Sequence, residues 1–188
     1  MSSKGLLFIV SAPAGTGKTT LVEQLVHECP NVVRAITCTT RKPRPHEENG
    51  RDYFFLSEEE FKKKEHGFLE EATVFGYHYG TEKAWVEKTL QEGKHVVLVI
   101  DTQGAIQVKN KIESVAIFLS PPSWDELRRR LKARGTESAE SLEKRLTRAH
   151  EELEMISHYD YHIVNDQLLE AYSVLKSIVI AEQHRVIK

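Results

Sequence analysis

Residues 6–19 read LLFIVSAPAGTGKT, a short apolar run that leads into a loop of small residues ending in Gly-Lys-Thr. The apolar run predicts a buried strand, and a helix is expected to begin at about Thr19. Backbone N–H groups of such a loop turn inward around phosphate oxygens, at the positive end of the helix dipole. Lys18 is then expected to reach the outer phosphates, and the Thr19 hydroxyl to bind Mg²⁺.

One position of this loop departs from the G-x-x-x-x-G-K-[ST] consensus, because Ala12 stands where the first glycine is usual. A Cβ restricts positive φ, so the first turn of the loop must be one that alanine can adopt. The alternative interpretation of the whole stretch is a plain turn between a strand and a helix.

The composition sets limits on the partners and the compartment. The chain has 188 residues, which fits one domain with small insertions. Its 26 basic residues nearly balance its 28 acidic ones, so the net charge of −2 gives no argument for nucleic-acid or membrane binding. Cys29 and Cys38 form no disulfide or zinc pattern. The apolar run at residues 6–10 is too short for a membrane span and lacks a signal-peptide layout. We therefore expect a cytoplasmic protein.

The rest of the chain alternates apolar runs with helical patterns, which predicts an α/β fold with a parallel, doubly wound sheet flanked by helices. Further strands of this sheet are predicted at residues 32–37, 95–101, 115–119 and 161–164. Helices are predicted at residues 19–29, 83–92, 123–134, 138–155 and 168–184.

Residues 39–80 do not follow this rhythm and are predicted to form an inserted subdomain with a small mixed or antiparallel sheet. Two prolines and many charges predict an exposed loop at 39–53. Strands are expected at 53–55 and 68–75, and Ser57 with Glu60 forms a capping box that starts a helix ending near His66. Residues 75–81 look like a turn flanked by aromatic residues.

Asp101 ends a predicted buried strand, where an ionised carboxylate costs free energy unless it has a partner. The carboxyl end of this strand lies beside the phosphate loop. One interpretation is a water-mediated contact to Mg²⁺ or a contact to a second substrate. The other is a helix cap for the segment after Gly104.

Two groups of arginines are candidates for binding anions. Arg41 and Arg44 lie in a proline-stiffened loop, where planar cations can clamp a phosphate at a reduced entropy cost. The alternative is a solvated basic turn. The second group flanks a helix breaker at residues 135–137 and fits either solvated helix faces or a mobile lid that closes over a transferring phosphate. It comprises Arg128, Arg129, Arg130, Arg134, Arg145 and Arg148.

Several stretches together resemble the guanylate kinases, enzymes that phosphorylate GMP with ATP, over essentially the full chain. They are residues 12–19, TTRKPR at 39–44, NGRDY at 49–53, FLEEA at 68–72, YGT at 79–81, IDTQG at 100–104, RGTE at 134–137 and VND at 164–166. The resemblance implies a P-loop NTPase-type core at 1–37, 83–129 and 146–188, a GMP-binding insert at 38–82 and a helical lid at 130–145.

The resemblance also implies roles for matched side chains. The implied ATP site is Ala12, Pro13, Ala14, Gly15, Thr16, Gly17, Lys18, Thr19, Arg130, Arg134 and Asn165, with Mg²⁺ held by Thr19 and, through water, by Asp101. The implied GMP site is Thr37, Arg41, Arg44, Tyr53, Glu70, Tyr79, Thr81 and Asp101. The implied catalytic cations are Lys18, Arg41, Arg130, Arg134 and Arg145. The expected reaction is direct in-line transfer to GMP, giving ADP and GDP.

Two positions depart from the family pattern. The strand motif is usually Leu-Asp-Ile-Asp, whereas residues 98–101 read LVID, so Val99 replaces the first acid and any ion or GMP contact of that acid comes into question. Thr37 and Thr81 replace serines and keep the hydroxyl.

Two other functions fit part of the sequence. One is an inactive module of this family that binds protein partners through its cleft, against which the presence of Lys18 and Arg130 counts. The other is a kinase for another phosphorylated small molecule, such as a ribose phosphate, against which Glu70 counts. The sequence leaves the oligomeric state and the acceptance of dGMP open.

Overall fold

The computed structural model describes residues 4–133 and 139–186. The strands are β1 Leu7–Ser11, β2 Val32–Arg34, β3 Cys38–Thr39, β4 Phe54–Phe55, β5 Phe68–Val74, β6 Tyr77–Glu82, β7 His95–Val99, β8 Val115–Ser120 and β9 Tyr161–Val164. The helices are α1 Lys18–Glu28, α2 Glu58–Lys64, α3 Lys83–Gln91, α4 Thr102–Lys111, α5 Trp124–Ala133, α6 Ala139–Glu154 and α7 Leu168–Gln183. In the described part of the chain, no helix combines the length and apolar character needed to cross a membrane.

The central sheet has five strands in the order β2-β7-β1-β8-β9, and every neighbouring pair is parallel. The predicted parallel α/β fold is therefore confirmed. The strand before the phosphate loop, β1, lies in the middle of the sheet with all five residues buried. The loop consequently emerges at the carboxyl edge of the sheet, which is where ligands bind in this class of fold.

Helices cover both faces of the central sheet, which explains why its strands read as almost continuous apolar runs. Phe8 and Val10 of β1 pack on the face covered by α1 and α7. Leu7 and Ile9 point to the other face, which is covered by α3 and α4. Each such fully buried side chain stabilises the fold by roughly 1.5–3 kcal/mol.

A second sheet of four strands has the order β4-β3-β6-β5. It is mixed, since β3 and β4 are parallel whereas β3–β6 and β5–β6 are antiparallel. This confirms the predicted small mixed sheet between residues 39 and 80. Strand β3 was not predicted, because Thr39 was assigned to the exposed loop. The predicted capping box is present, with the Glu60 N–H donating to Ser57 Oγ over 3.2 Å.

The prediction of a turn over residues 75–81 is wrong. Only Phe75 and Gly76 form the turn, with φ of 51° and 80°, and the chain continues as strand β6. Gly80 misled the prediction, because it lies within the strand and faces the ring of Phe68, where an added Cβ would approach to 2.9 Å. The glycine therefore marks a close approach in a strand.

The second strand is also shorter than predicted. It ends at Arg34 instead of residue 37, because the chain leaves the central sheet there. The Ala35 N–H still donates to Val97 O over 3.0 Å, but Thr37 O already accepts from Phe54 N–H of the second sheet at 3.0 Å. Residues 35–37 thus connect the two sheets at the carboxyl edge of the central one.

Candidate active site

The phosphate loop has the geometry that its sequence predicts. Gly15 and Gly17 have φ of 89° and 88°, and Gly17 is the N-cap of α1. An added Cβ at Gly17 would lie 2.8 Å from the side chain of Asn165, so both the backbone conformation and the space require glycine. Ala12 is buried with a negative φ, which shows how alanine fits the first loop position. The Lys18 ammonium group donates to the Ala12 carbonyl and so folds back across the loop.

Asn165 and Arg130 lie beside this loop. The buried Asn165 amide donates to the Thr16 carbonyl over 2.6 Å, which braces the loop from the end of β9. Arg130 in α5 donates from Nη1 to the Asn165 carbonyl at 3.0 Å and from Nε to Glu126 at 2.6 Å. Arg134, an implied lid residue, lies outside the described residues.

A buried carboxylate lies on the other side of the phosphate loop. Glu70 in β5 is only 1% exposed, and it accepts a hydrogen bond of 2.7 Å from the Thr81 hydroxyl of the adjacent strand β6. The Thr37 hydroxyl lies 3.5 Å from the Thr81 hydroxyl. Three residues from different segments of the chain therefore meet as one buried polar cluster.

Helix α4 positions this carboxylate. Gln107 in α4 accepts from the Glu71 N–H at 3.1 Å and donates to the Glu71 carbonyl at 2.6 Å, which ties β5 to the helix. Gly104, in the first turn of α4, has no side chain where the carboxylate of Glu70 lies; an added Cβ would overlap a carboxylate oxygen and lie 3.1 Å from Cδ. The IDTQG stretch at residues 100–104 therefore has a steric reason for its glycine.

Burial raises the pKa of Glu70 to about 7, with additional contributions from Asp101 and Glu71 and against the hydrogen bond from Thr81. Near neutral pH this carboxyl group exchanges between its two charge states. A ligand that presents N–H donors to it stabilises the ionised form.

Asp101 is both a helix cap and an ion-pair partner. Its Oδ1 accepts from the Gly104 N–H at 2.9 Å, which confirms a helix cap, although α4 begins at Thr102 and not after Gly104. Its Oδ2 accepts from Arg148 Nη2 at 2.6 Å. Arg148 also donates to Glu152 at 3.2 Å. Burial raises the pKa of Glu152, against the nearby charges of Lys18 and Arg148. The sequence placed Arg148 in a basic group but gave no sign of these partners.

The cluster expected to grip a phosphate is assembled around Arg41. Its Nε donates to the Tyr79 hydroxyl at 3.3 Å, and its guanidinium lies 5.4 Å from the centre of the Tyr53 ring. Both remaining nitrogens donate to Glu47 at 2.9 Å. Arg44 donates its backbone N–H to Glu47 at 2.8 Å, and its own guanidinium lies 3.6 Å from that carboxylate.

Glu47 is the member of this cluster that sequence reasoning missed. Burial alone would raise the pKa of Glu47, but the hydrogen bonds from Arg41 and Arg44 lower it. The carboxylate thus stays ionised and neutralises part of the arginine pair. Its spacing of three residues from Arg44 within a stiff loop was the available signal.

The described residues hold no group of three or more His, Cys, Asp or Glu side chains that could bind a metal by itself. The Thr19 hydroxyl is exposed at the start of α1 and lines both pockets, and Asp101 lines one of them. Such a set fits Mg²⁺, which keeps several waters and is bound mainly through substrate phosphates.

The two pockets are contiguous. One extends over the phosphate loop toward Arg34 and Arg44, and the other extends toward Glu70 and Arg145. Lys18, Thr19 and Tyr53 line both. Two anionic ligands bound in these pockets would therefore meet at the same lysine.

The family profile for guanylate kinase matches residues 4–182 of the chain. The chain belongs to the guanylate kinase family. The guanylate kinase of Protochlamydia amoebophila is 56% identical over 98% of this chain and 95% of its own length. The crystal structure of the guanylate kinase from Anaplasma phagocytophilum superposes with a TM-score of 0.82 at 34% identity, covering 98% of this chain and 89% of that one.

A more distant structure shares the fold alone. The SH3-kinase fragment of tight junction protein 3 has a TM-score of 0.52 at 17% identity, and covers 98% of this chain and 60% of that chain.

The resemblance to the guanylate kinases is confirmed by the family match. Guanylate kinases phosphorylate GMP using ATP, so the chain is an enzyme of this kind.

Proposed function

We propose that the two contiguous pockets form one cleft that holds ATP and GMP, with the phosphate of GMP where the pockets meet, and that the side chains named above carry out the guanylate kinase reaction. The observation that carries this assignment is a buried carboxylate, Glu70, at the end of a pocket that shares Lys18 and Thr19 with the phosphate loop. A base-reading group and a phosphate-binding group thus lie on one continuous surface.

ATP binds at the phosphate loop in this proposal. Loop N–H groups of residues 12–19 and the dipole of α1 bind its phosphates, and Lys18 neutralises charge on the transferring group. Guanylate kinases need a divalent metal, and we propose Mg²⁺ held by Thr19, with Asp101 contacting it through water. When bound, Mg²⁺ neutralises phosphate charge. Asn165 lies beside the loop, where we place the adenine end of the nucleotide.

GMP binds with its base at Glu70. Guanine presents N1–H and the N2 amino group as adjacent donors, and an ionised carboxylate accepts from both. Thr37, Thr81 and Asp101 complete this end of the site. Adenine has an acceptor at N1 and lacks the N2 amino group, so it leaves the buried carboxylate unpaired, a mismatch that can reject the wrong partner by roughly 10⁴-fold or more.

The phosphate of GMP lies among Arg41, Arg44, Tyr53 and Tyr79. One of its oxygens attacks the γ-phosphorus of ATP, the bond to the bridging oxygen breaks, and that oxygen leaves with ADP. No covalent enzyme intermediate is required, because charge stabilisation and alignment supply the catalysis. Arg145 lines the GMP pocket and is assigned to the transferring phosphate, together with Arg130 and Arg134.

We propose the same division of labour along the chain as the family pattern implies. Residues 1–37, 83–129 and 146–188 form the core, residues 38–82 bind GMP, and residues 130–145 act as a lid whose closure excludes water and so prevents ATP hydrolysis. The enzyme would recycle GMP in cytoplasmic purine metabolism. Its two cysteines are free thiols, which fits a reducing compartment.

The test is an acceptor panel with the purified protein. ADP formation is measured with Mg–ATP and, separately, GMP, dGMP, AMP, UMP, CMP and ribose 5-phosphate. ADP formed only with GMP or dGMP supports both the reaction and the role of Glu70. ADP formed with the sugar phosphate would overturn the base pocket, and ATP binding without any turnover would instead favour a partner-binding module.

A further inference from the structure

Phe75 occupies a backbone conformation that its side chain disfavours. It is the first of the two turn residues between β5 and β6, and its φ of 51° lies in the left-handed region. Two-residue hairpin turns with two positive φ values favour Asn-Gly or Asp-Gly, and a bulky residue at the first position is an outlier. The ring is also 46% exposed, so core burial does not explain the phenylalanine.

The ring of Phe75 lies against two arginines of helix α6. The guanidinium carbon of Arg145 is 5.2 Å from the ring centre, and that of Arg148 is 5.5 Å away. Both distances are within the range of cation–π attraction. Phe75, Arg145 and Arg148 all line the pocket that contains Glu70.

Each partner of this contact is tied to the active site. Phe75 directly follows strand β5, which carries Glu70, while Arg148 is fixed to the core by its ion pair with Asp101 at 2.6 Å. Arg145 lies one helical turn before Arg148 on the same face of α6. The aromatic ring therefore joins the base-binding strand to the helix that carries the arginine assigned to the transferring phosphate.

We propose that Phe75 is a positioning residue that orients Arg145 for phosphoryl transfer and couples this arginine to the occupied base pocket. The strained turn holds the ring against the two guanidinium groups. This inference rests on the proposed function, in which Arg145 acts on the transferring phosphate.

The first test compares Phe75→Leu with Phe75→Tyr. Leucine removes the π face, and loss of two cation–π contacts predicts a fall in kcat of about five- to thirtyfold, with KM for GMP and ATP changed by less than about twofold. Tyrosine keeps the π face and is expected to retain most of the activity. Tyr77→Leu is the matched control, because Tyr77 is a similarly exposed aromatic on the same hairpin and is expected to leave kcat unchanged.

The second test separates positioning from a structural role. Phe75→Asn lacks the π face as Phe75→Leu does but creates the favoured Asn-Gly turn, so its melting temperature is expected to exceed that of Phe75→Leu by about 2–4 °C. The same variant is expected to lose kcat as Phe75→Leu does. A residue that only stabilises the hairpin would move stability and activity in the same direction.

A double-mutant cycle with Arg145→Ala identifies the partner. Adding Phe75→Leu to Arg145→Ala is expected to reduce kcat by less than about twofold, because the residue that Phe75 orients is already absent. Wild-type kcat in both Phe75→Leu and Phe75→Asn would overturn the inference, as would full additivity in the cycle. Inactivity of the wild-type enzyme with GMP would instead overturn the proposed function.

Discussion

Replacing Glu70 by glutamine tests the base pocket most directly. The amide is nearly isosteric and can still accept from the Thr81 hydroxyl, which lies 2.7 Å from the carboxylate. It has one acceptor and one NH₂ donor, so it meets the two adjacent donors of guanine with a donor of its own. We expect KM for GMP to rise at least about 100-fold while KM for ATP stays unchanged.

The same substitution is expected to weaken GMP binding but to stabilise the folded protein at neutral and alkaline pH. The pKa of Glu70 is raised by burial from 4.5 to about 7, so between these values the folded protein holds a proton that the unfolded chain releases. The free energy of unfolding of the wild-type protein therefore falls as the pH rises from about 4.5 to 7. Once the pH exceeds 7, the total decrease is about 3 kcal/mol. Glu70→Gln does not titrate, and we expect its melting temperature to exceed the wild-type value by about 6–12 °C at pH 8.

The assays are initial-rate kinetics with varied GMP, thermal melts at pH 5 and pH 8, and calorimetric titration of GMP in buffers of different ionisation enthalpy. Because the proposed guanine contact requires the ionised carboxylate, GMP binding to the wild-type enzyme is expected to release a proton from the protonated fraction of Glu70 at pH 7. Glu70→Gln should lack this contribution and release fewer protons than the wild type. Glu71→Gln is the matched control on the same strand, since its backbone contacts with Gln107 do not involve the side chain.

Two results would refute this reasoning. An unchanged KM for GMP in Glu70→Gln would remove the residue from base recognition. Melting temperatures of the variant and the wild type that differ equally at pH 5 and pH 8 would show that ionisation of Glu70 carries no free-energy cost in the folded state.

Three further predictions concern the other parts of the site. Lys18→Met is expected to abolish ADP formation while the melting temperature stays within about 3 °C of the wild-type value, because the lysine side chain lines the two pockets and is not part of the apolar core. Retained turnover would exclude the loop from catalysis. Glu47→Ala leaves the Arg41 guanidinium without the carboxylate that holds it in place. We expect KM for GMP to rise about tenfold in initial-rate assays, because the loss of this preset orientation outweighs the added positive charge, with little change in KM for ATP; an effect on ATP alone would reverse the two subsites. Gly104→Ala would bring a Cβ onto the Glu70 carboxylate, so we expect destabilisation by about 1–3 kcal/mol in a thermal melt and weaker GMP binding, and unchanged values of both would contradict the described packing.

Local patterns in the sequence predicted the elements that depend on neighbouring residues. The apolar run before the phosphate loop, the capping box at Ser57 and the parallel sheet all follow from periodicity or from side chains within four positions. Strand β6 was missed because Gly80 and its aromatic neighbours have the composition of a turn. The space that Gly80 leaves for Phe68 arises only when the two strands pair.

The contacts of the site are predictable only in part. The resemblance placed Glu70, Thr37 and Thr81 together, and the structure brings all three into contact range. The pair of Asp101 with Arg148 joins residues 47 positions apart, and no local pattern specifies which helix face meets the end of β7. Glu47 was overlooked for a different reason, because an acidic residue in a charged loop looks like ordinary solvated surface until its partners are known.

The pairing of Glu47 with Arg41 affects how strongly the enzyme binds small inorganic anions. A guanidinium fork that is already filled by an internal carboxylate offers little net attraction to inorganic phosphate, sulfate or chloride, so these ions compete weakly for it. In the proposed binding mode the purine of GMP is held at Glu70 as well, and this second attachment raises the local concentration of its phosphate at the fork. We therefore expect the enzyme to keep its affinity for GMP in media of high ionic strength, where an open arginine pair would be occupied by counterions.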